Sequence, residues 1–124
     1  MSVPPPGQAA EVVDLGTTRT GDAGGAIWSL PHGGDLDANL VRLAPGAGIE
    51  EHVNDELDVL LVVQAGSGEL EVDGVVSGLH GDVLALVPQG SRRSITAGPA
   101  GLTYLTVHRR RGPLVVKRDL PASG

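Results

Sequence analysis

Short runs of hydrophobic residues, many alternating with polar ones, make up most of the chain. Runs of about four to eight residues rich in Val, Leu and Thr lie between Gly and Pro residues, which is the pattern of β-strands. No segment carries a helical stripe of apolar residues bounded by capping residues. The predicted strands are EVVDLG, GAIWSL, LDANLVRLA, ELDVLLVVQA, GELEVDG, VVSGL, GDVLALVP, RRSITAG and LTYLTVHRR. Many short strands without helices favour a closed antiparallel barrel or a two-sheet jelly roll.

The clearest local prediction is a hairpin around Asp73 and Gly74. Leu70 and Val72 alternate with acidic residues in GELEVDG, so one face of this strand is expected to be buried and the other exposed to solvent. Asp-Gly tolerates the positive φ angles of a type I′ turn. The run LDVLLVVQA is almost entirely apolar instead, which predicts a strand that is buried on both faces.

The length and composition limit what such a fold can contain. A chain of 124 residues fits one domain, because a second core would leave each half marginally stable. We predict a flexible N-terminal arm at residues 1–10, a barrel at residues 11–111 and a basic tail at residues 112–124. Hydrophobic residues make up 40% of the chain but aromatic residues only 2%, so any pocket is expected to have aliphatic walls.

The charge and the absence of cysteine argue against several classes of function. A net charge of −6 disfavours nucleic-acid binding, which needs a basic surface. Without cysteine the chain has no disulfide and no thiolate metal site. The sequence has no signal-peptide pattern and no apolar run of membrane-spanning length. We therefore expect a cytoplasmic protein that binds neither nucleic acid nor membranes.

Two stretches share a framework of Gly, Pro and hydrophobic residues. PGAGIEEHVNDELDVLLVVQAGSGELEVDG resembles the first motif of the cupin superfamily, and GDVLALVPQGSRRSITAG resembles its second motif. Each stretch has one residue more than the motif before its closing Gly or Pro, which is typical of a β-bulge. The resemblance covers about half of the chain and implies an all-β protein with a cupin-type antiparallel jelly-roll barrel.

The resemblance also implies a divalent metal such as Fe, Mn, Ni or Zn, held by three histidines and an acid. The matching positions in this chain hold His52, Asn54, Asp58 and Arg93. An Asn carbonyl is a weak neutral ligand, and Arg has no lone pair to offer. The metal-ligand set is therefore degenerate, and we favour a protein without a cofactor.

We hypothesise that Arg93 points into the barrel and takes the place of the metal. There it would pair with Asp58, while His52 and Asn54 would complete a polar cluster, because a guanidinium and a carboxylate neutralise each other when buried. Arg92 would face outward, since neighbouring residues of a strand point to opposite sides.

Tyr104 and His108 lie on one face of the last predicted strand and are candidate ligand-binding residues if that face points inward. The opposite face carries Leu105 and Val107 and is the more hydrophobic of the two. The sequence leaves open which of the two faces lines the interior.

Three functions follow from these observations, and we favour the first. It is the binding of a small molecule without a metal ion. The ligand expected to bind Arg93 is one that carries a carboxylate. The second is a metal-dependent enzyme of dioxygenase or isomerase type with His52, Asp58 and Glu56 as ligands, for which no catalytic residue can be assigned. The third is a structural or interaction module that forms a homodimer through sheet edges, with the N-terminal arm laid across the partner.

Overall fold

The structure is a computed structural model that describes residues 10–18, 24–31 and 34–110. The elements of these residues are α1 Leu15–Thr18, β1 Gly25–Ser29, β2 Leu36–Leu43, β3 Gly48–Val53, β4 Val59–Val72, β5 Val75–His80, β6 Leu84–Val87 and β7 Arg92–Arg109. The predicted arm, apart from Ala10, and the predicted tail lie outside the described residues.

The two longest strands, β4 and β7, pair with each other and organise the sheet. Its order is β1-β2-β7-β4-β5, with β3 added to β7 and β6 added to β4, and every pairing is antiparallel. The first half of β4 pairs with β6 and the second half of β7, whereas the second half of β4 pairs with β5 and the first half of β7. The predicted all-β jelly roll is confirmed, although its sheet is not closed within the described residues.

A bulge and a glycine contact bend β4 and β7. Val63 pairs with Tyr104 and Ala65 with Thr103, so Gln64 is the extra residue of a bulge, as the spacing of the first motif predicts. Next to it Gly66 has a φ angle of 84°, and a side chain there would overlap the carbonyl oxygen of Gly101. Glycine therefore allows the two backbones to approach closely where the strands bend.

The predicted hairpin between β4 and β5 is confirmed. Asp73 has a φ angle of 49° and Gly74 one of 86°, the two positive values that a type I′ turn needs. Val72 pairs with Val75 directly across the turn, and Leu70 is buried as the alternation predicts.

The core lies on one face of the folded sheet. Its buried residues are Leu43, Val59, Leu61, Val63, Leu70, Leu79, Val87, Ile95, Ala97, Leu102 and Tyr104. Leu60 and Val62, on the other face of β4, are only half-buried, so this strand is not covered on both faces as predicted.

Two predictions of secondary structure are wrong. The segment EVVDLG forms no strand, because the side chain of Asp14 accepts a hydrogen bond from the backbone N of Gly16 at 2.9 Å and starts the short helix α1. The segment GIEEHV is strand β3, although no strand is predicted there. Apart from Ile49 its side chains are exposed, so the strand lacks the apolar alternation that marks the others.

Candidate functional site

A cavity of about 310 Å³ opens between the two halves of the sheet. Its apolar wall is formed by Ala26, Val41, Ile49, Leu61 and Ile95. Its polar side chains are His52, Arg93, Tyr104 and Thr106. The predicted aliphatic pocket is thus present, and it carries a small set of polar groups that could orient a ligand.

The pairing of β3 with β7 brings His52 and Arg93 to the cavity. The two residues are direct partners across the strands, and such partners project to the same side of a sheet. Arg92, the neighbour of Arg93, is exposed, with a guanidinium nitrogen 3.7 Å from a carboxylate oxygen of Glu51. The structure therefore places Arg93 inward and Arg92 outward, as the two-residue strand period predicts.

The imidazole of His52 is held by hydrogen bonds at both ring nitrogens. Its Nδ1 lies 3.0 Å from the carbonyl oxygen of Glu50, which can only accept, so Nδ1 carries the proton. Its Nε2 then has a lone pair and accepts a hydrogen bond from Nε of Arg93 at 3.2 Å. The lone pair that a metal ion would use is thus engaged by a cationic side chain.

Tyr104 contributes a hydroxyl to the same cavity. The residue is only 3% exposed, and it lines the cavity. Burial raises the pKa of this hydroxyl above its usual value of 10.0, and the positive charge of Arg93 opposes part of that rise. At neutral pH Tyr104 is therefore an uncharged hydrogen-bond donor on the cavity wall.

Asp58 lies apart from Arg93, and the hypothesised ion pair between them is not formed. The carboxylate of Asp58 accepts a hydrogen bond of 2.7 Å from the backbone N of Gln89. It lines a second cleft together with Glu56, Leu57 and Arg109. The reason is the strand register, which places the imidazole of His52 beside Arg93 and leaves Asp58 in the turn before β4.

Asn54 and His108 do not line the cavity either. The side-chain oxygen of Asn54 accepts hydrogen bonds from the backbone N atoms of Glu56 and Leu57, at 3.0 and 3.2 Å, and so shapes the loop before β4. His108 lies on the same strand face as Tyr104, but it pairs with Asp37 nearer the end of β7, beyond the cavity. Of the six predicted ligand-binding residues, three line the cavity.

The described residues do not fit the divalent metal that the cupin resemblance implies. They contain no group of three or more His, Cys, Asp or Glu side chains placed to hold an ion. Glu56 and Asp58, the proposed partners of His52 in a metal site, line the second cleft. In the cavity, Nε of Arg93 donates a hydrogen bond to Nε2 of His52, the atom that would otherwise bind the metal ion.

Sequence reasoning missed the contribution of β1 and β2 to the cavity. Ala26 and Val41 are paired across these strands, and Val41 is in turn paired with Tyr104 of β7. The alternation in LDANLVRLA marks Val41 as one of the residues of a single strand face. Only the strand order shows that this face and Tyr104 line the same cavity.

No model of a known protein family matches the sequence, and no curated protein sequence matches it. Solved structures do match. The BH2720 protein of Bacillus halodurans has a TM-score of 0.73 at 20% identity, covering 90% of this chain and 89% of its own. A protein with a double-stranded β-helix domain from Klebsiella pneumoniae has a TM-score of 0.68 at 18% identity, covering 82% and 90%. The cupin domain of Cnp3 from Schizosaccharomyces pombe has a TM-score of 0.62 at 21% identity, covering 74% and 68%.

The chain has the cupin fold, the double-stranded β-helix, as its two sequence motifs indicate. At these identities the likeness establishes architecture, and function has to be argued from the site. The described ranges contain no helix that is both long and apolar enough to cross a membrane. A cytoplasmic location stays a prediction.

Proposed function

We propose that this protein binds a small organic molecule in the cavity lined by His52, Arg93 and Tyr104, without a metal ion. The observation that carries the proposal is the hydrogen bond from Arg93 Nε to His52 Nε2 on the wall of an otherwise largely aliphatic cavity. The cavity volume of about 310 Å³ lies at the lower end of the range of ligand pockets.

The position of Arg93 supports binding without a metal. An ion at His52 would have to displace the guanidinium from Nε2 while remaining close to its charge. Two unit charges of like sign about 4 Å apart repel by about 4 kcal/mol at an effective dielectric constant of about 20, and a divalent ion doubles this. A dioxygenase or isomerase site would need Glu56 and Asp58 beside His52, and both carboxylates line a different cleft.

Binding can be tested by titrating the chelator-treated protein with cyclohexanecarboxylate, whose ring suits aliphatic walls. We expect saturable NMR shifts of the methyl groups of Val41, Ile49 and Leu61, whereas Val75 and Val76 on the exposed strand β5 serve as internal controls. Absence of saturable shifts would overturn the proposed binding. Shifts that require added Fe, Mn, Ni or Zn would overturn the metal-free part.

A second experiment tests the role of Arg93. Elemental mass spectrometry of protein purified without chelator should find no stoichiometric metal. Arg93→His should take up Zn or Ni, because it removes the cation and adds an imidazole directly across from His52. Arg93→Lys keeps the charge and is the matched control, which we expect to stay empty. A stoichiometric ion in the native protein would contradict the proposal.

The outside of the sheet favours a homodimer in addition. The outer apolar face consists of Leu60, Val62, Leu84, Leu86, Leu105 and Val107, which are paired across β4, β6 and β7. Leu84 and Leu86 are 61% and 59% exposed. Contiguous apolar patches of this kind mark interaction surfaces, and a patch shared by identical chains can be buried around a two-fold axis. We propose that two copies pack through this face rather than through sheet edges.

A further inference from the structure

The outer apolar face ends in two residues of opposite charge. At its edge β4 and β7 pair through Leu60 and Val107. Two residues further out, the same register brings Asp58 level with Arg109. Both residues are exposed, and the alternation of the strands assigns both to the outer side. Because they line the second cleft, this cleft forms one rim of the outer apolar face.

The two charges do not neutralise each other within one chain. Neither Asp58 nor Arg109 forms an ion pair with any residue that the structure describes. The carboxylate of Asp58 is held by the backbone N of Gln89, which follows β6. Since β6 and β7 pair with opposite edges of β4, this hydrogen bond turns Asp58 away from Arg109. Both charges are therefore placed to meet a second molecule.

The symmetry of a dimer decides which groups meet across the outer apolar face. In a two-fold contact, a residue that touches a second residue of the partner is touched in return by the same pair in reverse. An axis parallel to the strands, midway between β4 and β7, lays each residue of β4 over its β7 neighbour in the other copy. Leu60 then meets Val107 of the partner subunit. Asp58 meets Arg109 of the partner subunit, so that four alternating charges surround the axis.

An axis across the strands fits the same face less well. It would turn the face end for end and place Asp58 over Gln64 of the partner subunit. Arg109 would lie over Thr103 of the partner subunit. Because Gln64 and Thr103 are uncharged, both charges would lose part of their water without gaining a partner, which is unfavourable. Charge complementarity therefore selects the axis parallel to the strands.

We infer that Asp58 and Arg109 form two reciprocal ion pairs across the homodimer and fix its two-fold axis parallel to β4 and β7. This inference rests on the proposed packing of two copies through the outer apolar face and specifies how the copies meet. The apolar residues supply most of the affinity, since ion pairs at the rim of an interface stay partly solvated. The ion pairs supply specificity, because they disfavour the other orientation and partners with a different pattern of charges.

Charge reversal tests whether the two residues pair between copies. Asp58→Lys and Arg109→Glu each replace two attractive contacts by two repulsive ones, so we expect the dissociation constant of either homodimer to rise by about 10- to 100-fold. An equimolar mixture of the two variants should recover an affinity close to that of the wild type. In the mixed dimer the introduced lysine faces the introduced glutamate, and the remaining Asp58 faces the remaining Arg109. Sedimentation equilibrium measures the affinities, and native mass spectrometry identifies the mixed dimer by its mass.

Three further variants serve as controls. Asp58→Asn keeps a side-chain oxygen for the hydrogen bond from Gln89 while removing the charge, so it should weaken the dimer less than Asp58→Lys. Glu69→Lys and Arg92→Glu change the net charge by the same amounts at exposed positions of β4 and β7 outside the outer apolar face. We expect these two to leave the affinity unchanged. Thermal unfolding of every variant checks that the fold is retained.

The outcomes separate this inference from the proposed dimer. A wild-type monomer overturns the homodimer, and the inference with it. A dimer that Leu84→Glu with Leu86→Glu dissociates, but that neither charge reversal weakens, retains the outer apolar face and overturns the ion pairs. Recovery in a chain that carries both reversals, without recovery in the mixture of single variants, also overturns them. That result would place the pairing of Asp58 and Arg109 within one chain.

Discussion

Tyr104 combines burial with a polar group, and this gives the residue a measurable signature in the stability of the protein. Burial raises the pKa of its hydroxyl above 10.0 in the folded state, with Arg93 as a smaller opposing influence. The unfolded chain therefore loses this proton at a lower pH than the folded chain does. The corresponding stability is fully present below a pH of about 10 and is lost as the pH rises towards the folded pKa.

We expect the free energy of unfolding to fall as the pH rises above about 10, and to fall less in Tyr104→Phe. Chemical denaturation from about pH 8 to about pH 11 measures this difference. Because Tyr104 is the single tyrosine of the chain, the absorbance of tyrosinate follows its ionisation directly. Identical pH profiles for the two proteins would show that burial of the hydroxyl has no effect on stability.

At the residue scale, the sequence predicts the direction of Arg93 and His52 but not their partners. The motif and the strand period are local, and they are sufficient to place Arg93 inward and Arg92 outward. The positions of Asn54 and Asp58 depend on a loop whose hydrogen bonds reach Gln89 and Gly90, more than thirty residues along the chain. No local pattern encodes such contacts, and for this reason the predicted ion pair between Arg93 and Asp58 is wrong.

Among the elements, β4 and β7 need glycine where they bend, because their backbones approach each other closely there. At the bend of the two strands Gly66 has a positive φ angle and lies against the backbone of Gly101. Side chains strain such a conformation, and here the added carbon would also overlap a carbonyl group that cannot move without disturbing β7. The bend that separates the two halves of the sheet is therefore intolerant of substitution.

Gly66→Ala should lower the free energy of unfolding by more than about 2 kcal/mol, the combined effect of backbone strain and steric overlap. Gly78→Ala on β5 is the control, since a side chain there meets no atom within 4 Å. We expect that change to be neutral or stabilising by up to about 1 kcal/mol. Urea denaturation compares the two, and equal midpoints would show that the bend tolerates a side chain.

The elements were predictable where burial alternates clearly and unpredictable where it does not. Strand β3 has one half-buried apolar residue, Ile49, and therefore lacks a periodic signal. The segment EVVDLG has the composition of a strand, but Asp14 uses its side chain to start a helical turn instead. The sequence does not determine which face of β7 points inward, because its outer residues, Leu105 and Val107, are as hydrophobic as core residues.

At the scale of the whole molecule, the outer apolar face explains why hydrophobicity alone could not distinguish inside from outside. In the proposed dimer a second copy would cover the outer side of these strands, and a strand covered in this way is expected to be apolar on both faces. The half-burial of Leu60 and Val62 in a single chain is the state expected before such a partner covers them.

We expect light scattering coupled to size-exclusion chromatography to find a dimer, and Leu84→Glu combined with Leu86→Glu to convert it to a monomer. Charges in this face would be buried without partners in the dimer, which is strongly unfavourable. Val75→Glu with Val76→Glu is the control, because these residues are 67% and 54% exposed on β5 outside the outer apolar face. Dissociation by the β5 variant instead would indicate association through a sheet edge.

The alternation of β7 assigns the two proposed properties, ligand binding and dimerisation, to even- and odd-numbered residues respectively. Tyr104 and Thr106 face the cavity, whereas Leu105 and Val107 belong to the outer apolar face. For protein engineering this means that a library confined to even-numbered positions of this segment can redesign ligand preference while leaving assembly untouched. A deletion of one residue would exchange the two sets of side chains and abolish both properties at once.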